Sequence, residues 1–492
     1  MIFRLSKLRS KASFIILGIA ALVWFLIRVV PKPSRAAYPC QRAAFPIASA
    51  FVLWLTATLG GLFLIRFIKN SYRNHRFVTT GCAAISLVFL IGCFLVMPAE
   101  KNTLRAETIT EKPNVISTEF TADPYEDNRV VRIYDEKVTD YDFNDNTSAA
   151  AYQSIDKKVL RTMLVRSLYE ISGQQNEIAA WKKIMTGTET GSLDDKKVTI
   201  KVNFNATIQK IPNAFNNSPA MIIVLAQSLE QAGFKQGNIS FFDCSRPFPD
   251  DFKAEIRAAG LGKIRLQGNK DGMKFSDKMI FLSDNKDFMR DEKRTDEMPV
   301  PQILIDADYY INLHLLKIHS AGVTGALKNH FGFAENVSFF MHNKGVPGYG
   351  KAYIFPDIVL NEELHTRYRL NIAEAVFGGQ TPNTLDKFSN TEFFPNGLPS
   401  SLIVSRSPFY HDAVMYGFAK AEYQTIGTHF DPKYQKQGTD IWLKNCAERY
   451  PKFNYDQAKF IDITNQSEVK KDLVFEKIDY RSIFIDSSLR SE

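Results

Sequence analysis

Hydrophobic positions are distributed unevenly along this chain. Three long apolar runs crowd the first hundred residues, at about 13–30 (SFIILGIAALVWFLIRVV), 43–68 and 77–97; the remainder mixes apolar and polar positions as water-soluble protein does. Each run holds roughly 18 to 25 mostly apolar residues, enough for a helix to cross a hydrocarbon core of about 30 Å. Arg28 and Arg66 stand at run ends, where long side chains reach headgroups. The pattern predicts a transmembrane segment of three helices over 1–98. A cleavable signal peptide fits the first run poorly, because no small-x-small site follows it directly and two more runs come next. No acidic residue or lysine interrupts the runs, so they read as an anchor and not as a transport path.

Residues 99–195 read as a linker and helical lead-in: acidic stretches such as DPYEDNRVVRIYDE (123–136), then helix-like content between Ser154 and Ile184. From Lys197 strand and helix signals alternate. KKVTIKVNF (196–204) is β-branched and alternating, as a strand is. Ser218 as N-cap with Pro219 at the first helical position opens a helix that Gly233 closes. NISFFDC reads as a buried strand, DDFKAEIRAAG as a helix closed by Gly260, and KIRLQ as a short strand. Further strands are predicted at 278–283, at QILIDADYYINL (302–313) and at RLNIAEAVF (369–377). This order predicts an α/β domain over 196–430, with a mixed, largely parallel sheet and flanking helices. In such a sheet ligands gather at the carboxyl ends of strands. Residues 431–492 read as an appended polar segment with a helix near WLKNCAERYPKF.

The net charge of +8 is partly a membrane signature, since Lys and Arg cluster at the ends of the apolar runs. No long basic run marks the polar part, so nucleic acid is not an expected partner. Counting Lys and Arg on alternate sides of the runs gives eight against seven. That margin favours an internal N-terminus, a multi-pass protein of a bacterial cell membrane, and an extracytoplasmic polar domain. The expected partners are the lipid bilayer, an anionic small molecule and another membrane protein. The five cysteines, Cys40, Cys82, Cys93, Cys244 and Cys446, show no C-x-x-C or zinc-ligand spacing. Cys40 lies in a short basic, proline-bounded loop, PKPSRAAYPCQRAAFP (31–46), read first as a stiff interfacial turn and second as a docking or thiol site.

Candidate chemistry concentrates in DADYYINLHLLKIHSAGVTGALKNHFGF (306–333), where an apolar strand is followed by His314, Lys317, His319, Lys328, Asn329 and His330. On an extended backbone Lys317 and His319 project from one face. AGVTGALKNH reads as a short helical piece whose first amides, with a lysine, make an anion site. Lysines repel cations, so a carboxylate or phosphate ligand suits the group better than a metal. His314 and His330 by themselves read as solvated strand-end and loop residues. Glu374, His411 and Asp412 are candidates to converge on the same crevice for proton transfer. Asp243 and Ser245-Arg246 follow a strand, where a βα loop touches ligand. A metal held by His319, His342 and Asp412 is a further alternative. G-x-S-x-G, P-loop and Rossmann glycine patterns are all absent.

The stretch LLKIHSAGVTGALKNHFG closely resembles the hallmark of the family known as domain of unknown function 362. The matching positions are Lys317, His319, Thr324, Gly325, Lys328, Asn329 and Gly332. Three further stretches agree in order: Lys201 and Asn203, NIAEAVFGG with Glu374, and SPFYHDAV with Asp412. Glu374 stands where the family commonly has aspartate, and His314 where proline is common. The resemblance covers about 196–425. It implies no activity; the candidate site is Lys201, Asn203, Lys317, Thr324, Lys328 and Asn329 for ligand binding and His319, Glu374 and Asp412 for catalysis. Some relatives carry iron–sulfur modules; this chain lacks the ferredoxin cysteine pattern, and its cofactor stays unknown. The leading expectation is a membrane-tethered protein that binds an anionic small molecule and performs acid–base or redox chemistry on it. The alternatives are a non-catalytic scaffold or ligand-binding module, and a metal-dependent enzyme.

Overall fold

The computed structural model describes Val23 and residues 120–469, apart from 205, 208–210, 283–296, 320–321, 335–353, 382, 427–438, 455–456 and 465–467. The chain divides into two units, Met1–Lys101 and Asn102–Glu492. The three predicted spans, and the Cys40 loop, fall outside the described residues save for Val23. Among the described residues no helix is long and apolar enough to cross a membrane.

Twelve strands are described in the second unit: β1 (Arg129–Tyr134), β2 (Val198–Lys201), β3 (Ile239–Phe242), β4 (Arg265–Gln267), β5 (Phe275–Phe281), β6 (Glu297–Pro301), β7 (Tyr309–His319), β8 (Gly322–Thr324), β9 (Tyr368–Gly379), β10 (Ser401–Ser405), β11 (Lys459–Thr464) and β12 (Glu468–Val469). Ten form one sheet in the order β12-β11-β1-β10-β9-β7-β2-β3-β4, with β8 paired to β7; β5 and β6 form a separate hairpin. From β9 through β4 the strands run parallel. β10 is antiparallel to both neighbours, and β11 is parallel to β1. The fold is thus the α/β type expected, a mixed and largely parallel sheet with helices on both faces.

Those faces explain the near-continuous apolar strands, which are buried on both sides. Along β7, Ile311, Leu313 and Leu315 enter one core with Val198 and Ile200 of β2. Helices α1 (Lys157–Ser172), α2 (Glu177–Thr186) and α3 (Pro219–Ala232) cover that side. Tyr310, Leu316 and Ile318 enter the other core. It is covered by α5 (Ala326–Asn329), α6 (Pro408–Thr425) and α7 (Thr439–Arg449), while α4 (Asp250–Ala258) packs on α3.

The predicted punctuation of α3 holds in detail. Ser218 Oγ accepts from the Met221 amide at 3.0 Å, Pro219 opens the helix, and Gly233 ends it at φ 117°, which a side chain rarely tolerates. Two readings need correction. QILIDADYYINL is not one strand: Gln302–Ile305 turn as a short helix, and the strand begins at Tyr309. AGVTGALKNH is only partly helical, because Gly322–Thr324 pair with the end of β7 and the helix is confined to Ala326–Asn329. Strands β1 and β11 lie where no strand was read. Their apolar residues (Val130, Val131, Ile133, Ile463) are buried between neighbours far away in sequence.

The chain winds outward through β2, β3 and β4, then returns to place β7 on the other flank of β2. The winding reverses between β2 and β7. A crevice opens at such a reversal, outside the carboxyl ends of the strands.

Candidate functional site

The residues following those strand ends meet there. Lys201 ends β2, Asp243 follows β3, and Thr324 ends β8, which turns back on Lys317 of β7. Lys201, Asn203, Asp243, Ser245, Arg246, Thr324, Lys328, Asn329, Phe331 and Gly332 line a cavity of about 60 Å³, room for a small acid or a few waters.

Three lysines are held in three different ways. Lys201 Nζ donates to Asp243 Oδ2 at 2.9 Å and to the Val202 carbonyl at 2.5 Å. Lys317 is fully buried and donates to Asn203 Oδ1 at 2.8 Å. Burial, and then the charge of Lys328, hold its ammonium well below the usual lysine range. Lys328 lines the cavity with its nitrogen 5.4 Å from the Phe331 ring centre. Burial, then Arg246, lower it to about 8. Among the described residues neither Lys317 nor Lys328 forms an ion pair. Asp243 is the one carboxylate in the lining, and it also accepts from the Ser245 amide and hydroxyl at 2.9 and 2.8 Å. Thr324 Oγ1, on a residue only 3% exposed, has no hydrogen-bond partner among the described residues. Gly332 leaves room for Lys201, whose Nζ and Cε a Cβ at this position would displace.

A row of amides fixes this arrangement. Asn203 Nδ2 donates to Asn329 Oδ1 (2.9 Å) and Asn329 Nδ2 to Asn312 Oδ1 (2.7 Å). Asn312 Nδ2 donates to the Ala326 carbonyl (2.8 Å), to the Tyr368 hydroxyl (3.1 Å) and to Asn371 Oδ1 (3.3 Å). Lys317 is thus tied through four asparagines to β2, α5, β7 and β9. Residues 198–417 match the family described as Domain of unknown function (DUF362). The match supports the resemblance read from the sequence. No curated protein matches the chain. All ten residues lining the cavity, and Lys317 behind it, fall inside the DUF362 segment.

The structure gathers Lys201, Asn203, Thr324, Lys328 and Asn329 in one lining and sets Lys317 behind them. It adds Asp243, Ser245 and Arg246, which the βα-loop reading pointed to, and Phe331, which nothing in the sequence set apart. Glu374, His411 and Asp412 do not join them. Glu374 accepts from Asn217 Nδ2 (2.9 Å), the Ser218 amide (3.0 Å) and the Ser218 hydroxyl, anchoring the start of α3. Asp412 accepts from the Ala326 and Leu327 amides at 2.5 and 3.0 Å. Those amides were expected to hold an anionic ligand; a carboxylate of the chain itself occupies them. Burial pushes both carboxyls up to about 7. That range suits proton transfer, but each group faces a helix start and not the cavity. Accordingly, Glu374→Gln should unfold within about 1 kcal/mol of the parent, because an amide keeps most of these bonds. Glu374→Ala, which leaves buried donors unmet, should cost roughly 2–3 kcal/mol. Denaturant midpoints check both values.

The histidines also depart from expectation. His314 and His330 are fully buried, not solvated, and burial lowers each to about 3. His314 packs edge-on to His411 at 4.8 Å between ring centroids, and His330 packs among Tyr310, Phe333 and Tyr368. His411 meets the Ser405 hydroxyl at 2.9 Å, and burial holds it well below the histidine range. His319 is the last residue of β7, opposite Gly322; its side chain and all of His342 lie outside the description. Among the described residues no group of three or more His, Cys, Asp or Glu side chains is placed to hold a metal.

Proposed function

We propose that this domain binds a small molecule through a carboxylate or phosphate group seated in the crevice between β2 and β7. The observation that carries this reading is the charge of the site: Lys201, Lys328 and Arg246 line a 60 Å³ cavity that holds one carboxylate, Asp243, and Lys317 bonds Asn203 of the same lining. Burying ammonium groups without counterions is costly. An oxyanion entering the cavity supplies the missing charge and accepts hydrogen bonds from Lys328 and the unpartnered Thr324 hydroxyl. The three apolar runs of residues 1–98 support the companion proposal that the domain is tethered to a membrane. Resistance of the full-length chain to alkaline carbonate extraction tests that part.

Titrating purified full-length protein with inorganic phosphate tests the site. Saturable binding is expected, weakening as salt rises. The pH dependence has a definite sign. Lys328 loses its proton near pH 8 in the empty site, and a bound anion raises that value. Affinity should therefore be full below about pH 7 and fall as pH rises through 8, approaching tenfold per unit. Calorimetric titrations at pH 6.5, 7.5 and 9 measure this; no saturable heat at any of the three would sink the reading.

A further inference from the structure

We propose that Lys328 is a nucleophile, its Nζ condensing with the carbonyl carbon of a small 2-oxo acid held in the cavity to form an imine. The inference rests on the anion-binding reading and names the class of molecule bound.

The three lysines differ in what each is free to do. Lys201 is committed to Asp243 as an ion pair at 2.9 Å. Lys317 does not line the cavity and points its nitrogen at Asn203. Lys328 alone of the three reaches the cavity with no carboxylate beside it. Attack on a carbonyl needs the neutral amine, and burial among like charges is the environment that makes a lysine give up its proton near neutral pH. Arg246 and Lys201 stand in the same lining to meet the carboxylate of the acid. The carbonyl one bond from that carboxylate then stands within the small cavity beside Lys328. Thr324 Oγ1, buried and without a partner, is placed to donate to the carbonyl oxygen and afterwards to the carbinolamine hydroxyl.

The step balances without any further reagent. The nitrogen lone pair forms the C–N bond as the carbonyl π pair moves to oxygen. The C–O bond then breaks, and both amine hydrogens leave with that oxygen as water. Nothing is oxidised or reduced. The Ser245 hydroxyl, hydrogen-bonded to Asp243 in the same lining, offers a path for the proton.

Pyruvate with cyanoborohydride at pH 7 is the test, applied to full-length protein, since hydride fixes an imine as a stable secondary amine. Peptide mapping should find the adduct on Lys328, formed well ahead of exposed lysines such as Lys235 and Lys452, and suppressed by phosphate. Lys328→Arg keeps the charge and should take no adduct at that position. The imine is refuted if Lys328 reacts no faster than the exposed lysines, whether or not phosphate binds. Phosphate titration of the same preparation separates the two ideas: saturable phosphate binding without an adduct overturns the imine alone. An adduct without phosphate binding overturns the anion reading and leaves the nucleophile standing.

Discussion

Lys328→Met is expected to lose at least tenfold in affinity for phosphate while unfolding at the same temperature as the parent, or higher. The two halves have one cause. An ammonium buried beside Arg246, its nitrogen 5.4 Å from the Phe331 ring centre, is held at about 8. A displacement of that size from the ordinary lysine range corresponds to a folded-state penalty on the order of 3 kcal/mol at neutral pH. Methionine fills a similar volume without a charge to desolvate, so the penalty disappears. The same charge supplies a strong hydrogen bond to a bound oxyanion, with roughly 1.5–3 kcal/mol lost when it goes. Calorimetric titration paired with scanning calorimetry reads both quantities from one preparation. A protein that melts several degrees lower and binds phosphate normally would show that Lys328 is a packing residue.

Asn312→Leu should behave in the opposite way, losing stability first and binding as a consequence. Leucine matches asparagine in size, so the loss is of hydrogen bonds and not of volume. The Ala326 carbonyl loses its side-chain donor, and Asn329 Nδ2 keeps only the Leu313 carbonyl at 3.1 Å. Each buried polar group left short costs about 1–3 kcal/mol, so the substitution should cost roughly 2–4 kcal/mol. Because Asn329 also holds Asn203, and Asn203 holds Lys317, phosphate affinity should fall although Asn312 does not line the cavity. Denaturant titration and a double-mutant cycle with Asn203→Ala check this. If the two changes add independently in stability, the amide row is not one connected unit.

How much of this was legible depended on how local each signal is. The ends of α3 were readable because capping by Ser218, Pro219 and Gly233 is settled within one turn of chain. The lysines at 201, 317 and 328 and the asparagines at 203 and 329 stood out because the family spacing marks them. That they share one crevice follows from strand order, which no local pattern encodes. Asn312 and Asn371 were overlooked, yet a signal existed: asparagine is depleted from strand interiors, and both interrupt otherwise apolar runs. Glu374 and Asp412 stand at helix starts and not in the cavity lining, for a reason the sequence does not carry. A carboxylate that caps a helix start cannot be told in sequence from one that faces a ligand, since the amides it meets lie 156 and 86 residues away. β1 escaped notice because its apolar residues were submerged in the acidic stretch around them.

The pairing of β1 with β11 has a consequence for how the chain reaches its native state. Arg132 of β1 bonds Asp462 of β11 across 330 residues, and β1 also pairs with β10 in register Val130↔Ser405. Closing so wide a loop delays these contacts, and folding slows as contacts become more remote in sequence. During synthesis β1 leaves the ribosome early and waits, its edges open, until nearly all of the remaining chain has followed. The part matching DUF362, 198–417, contains neither β1 nor β11. Expressed alone it would present β10 as a bare edge, a surface that recruits strands from other molecules. The sheet is accordingly wider than the family segment, reaching from Arg129 of β1 to Thr464 of β11 and beyond.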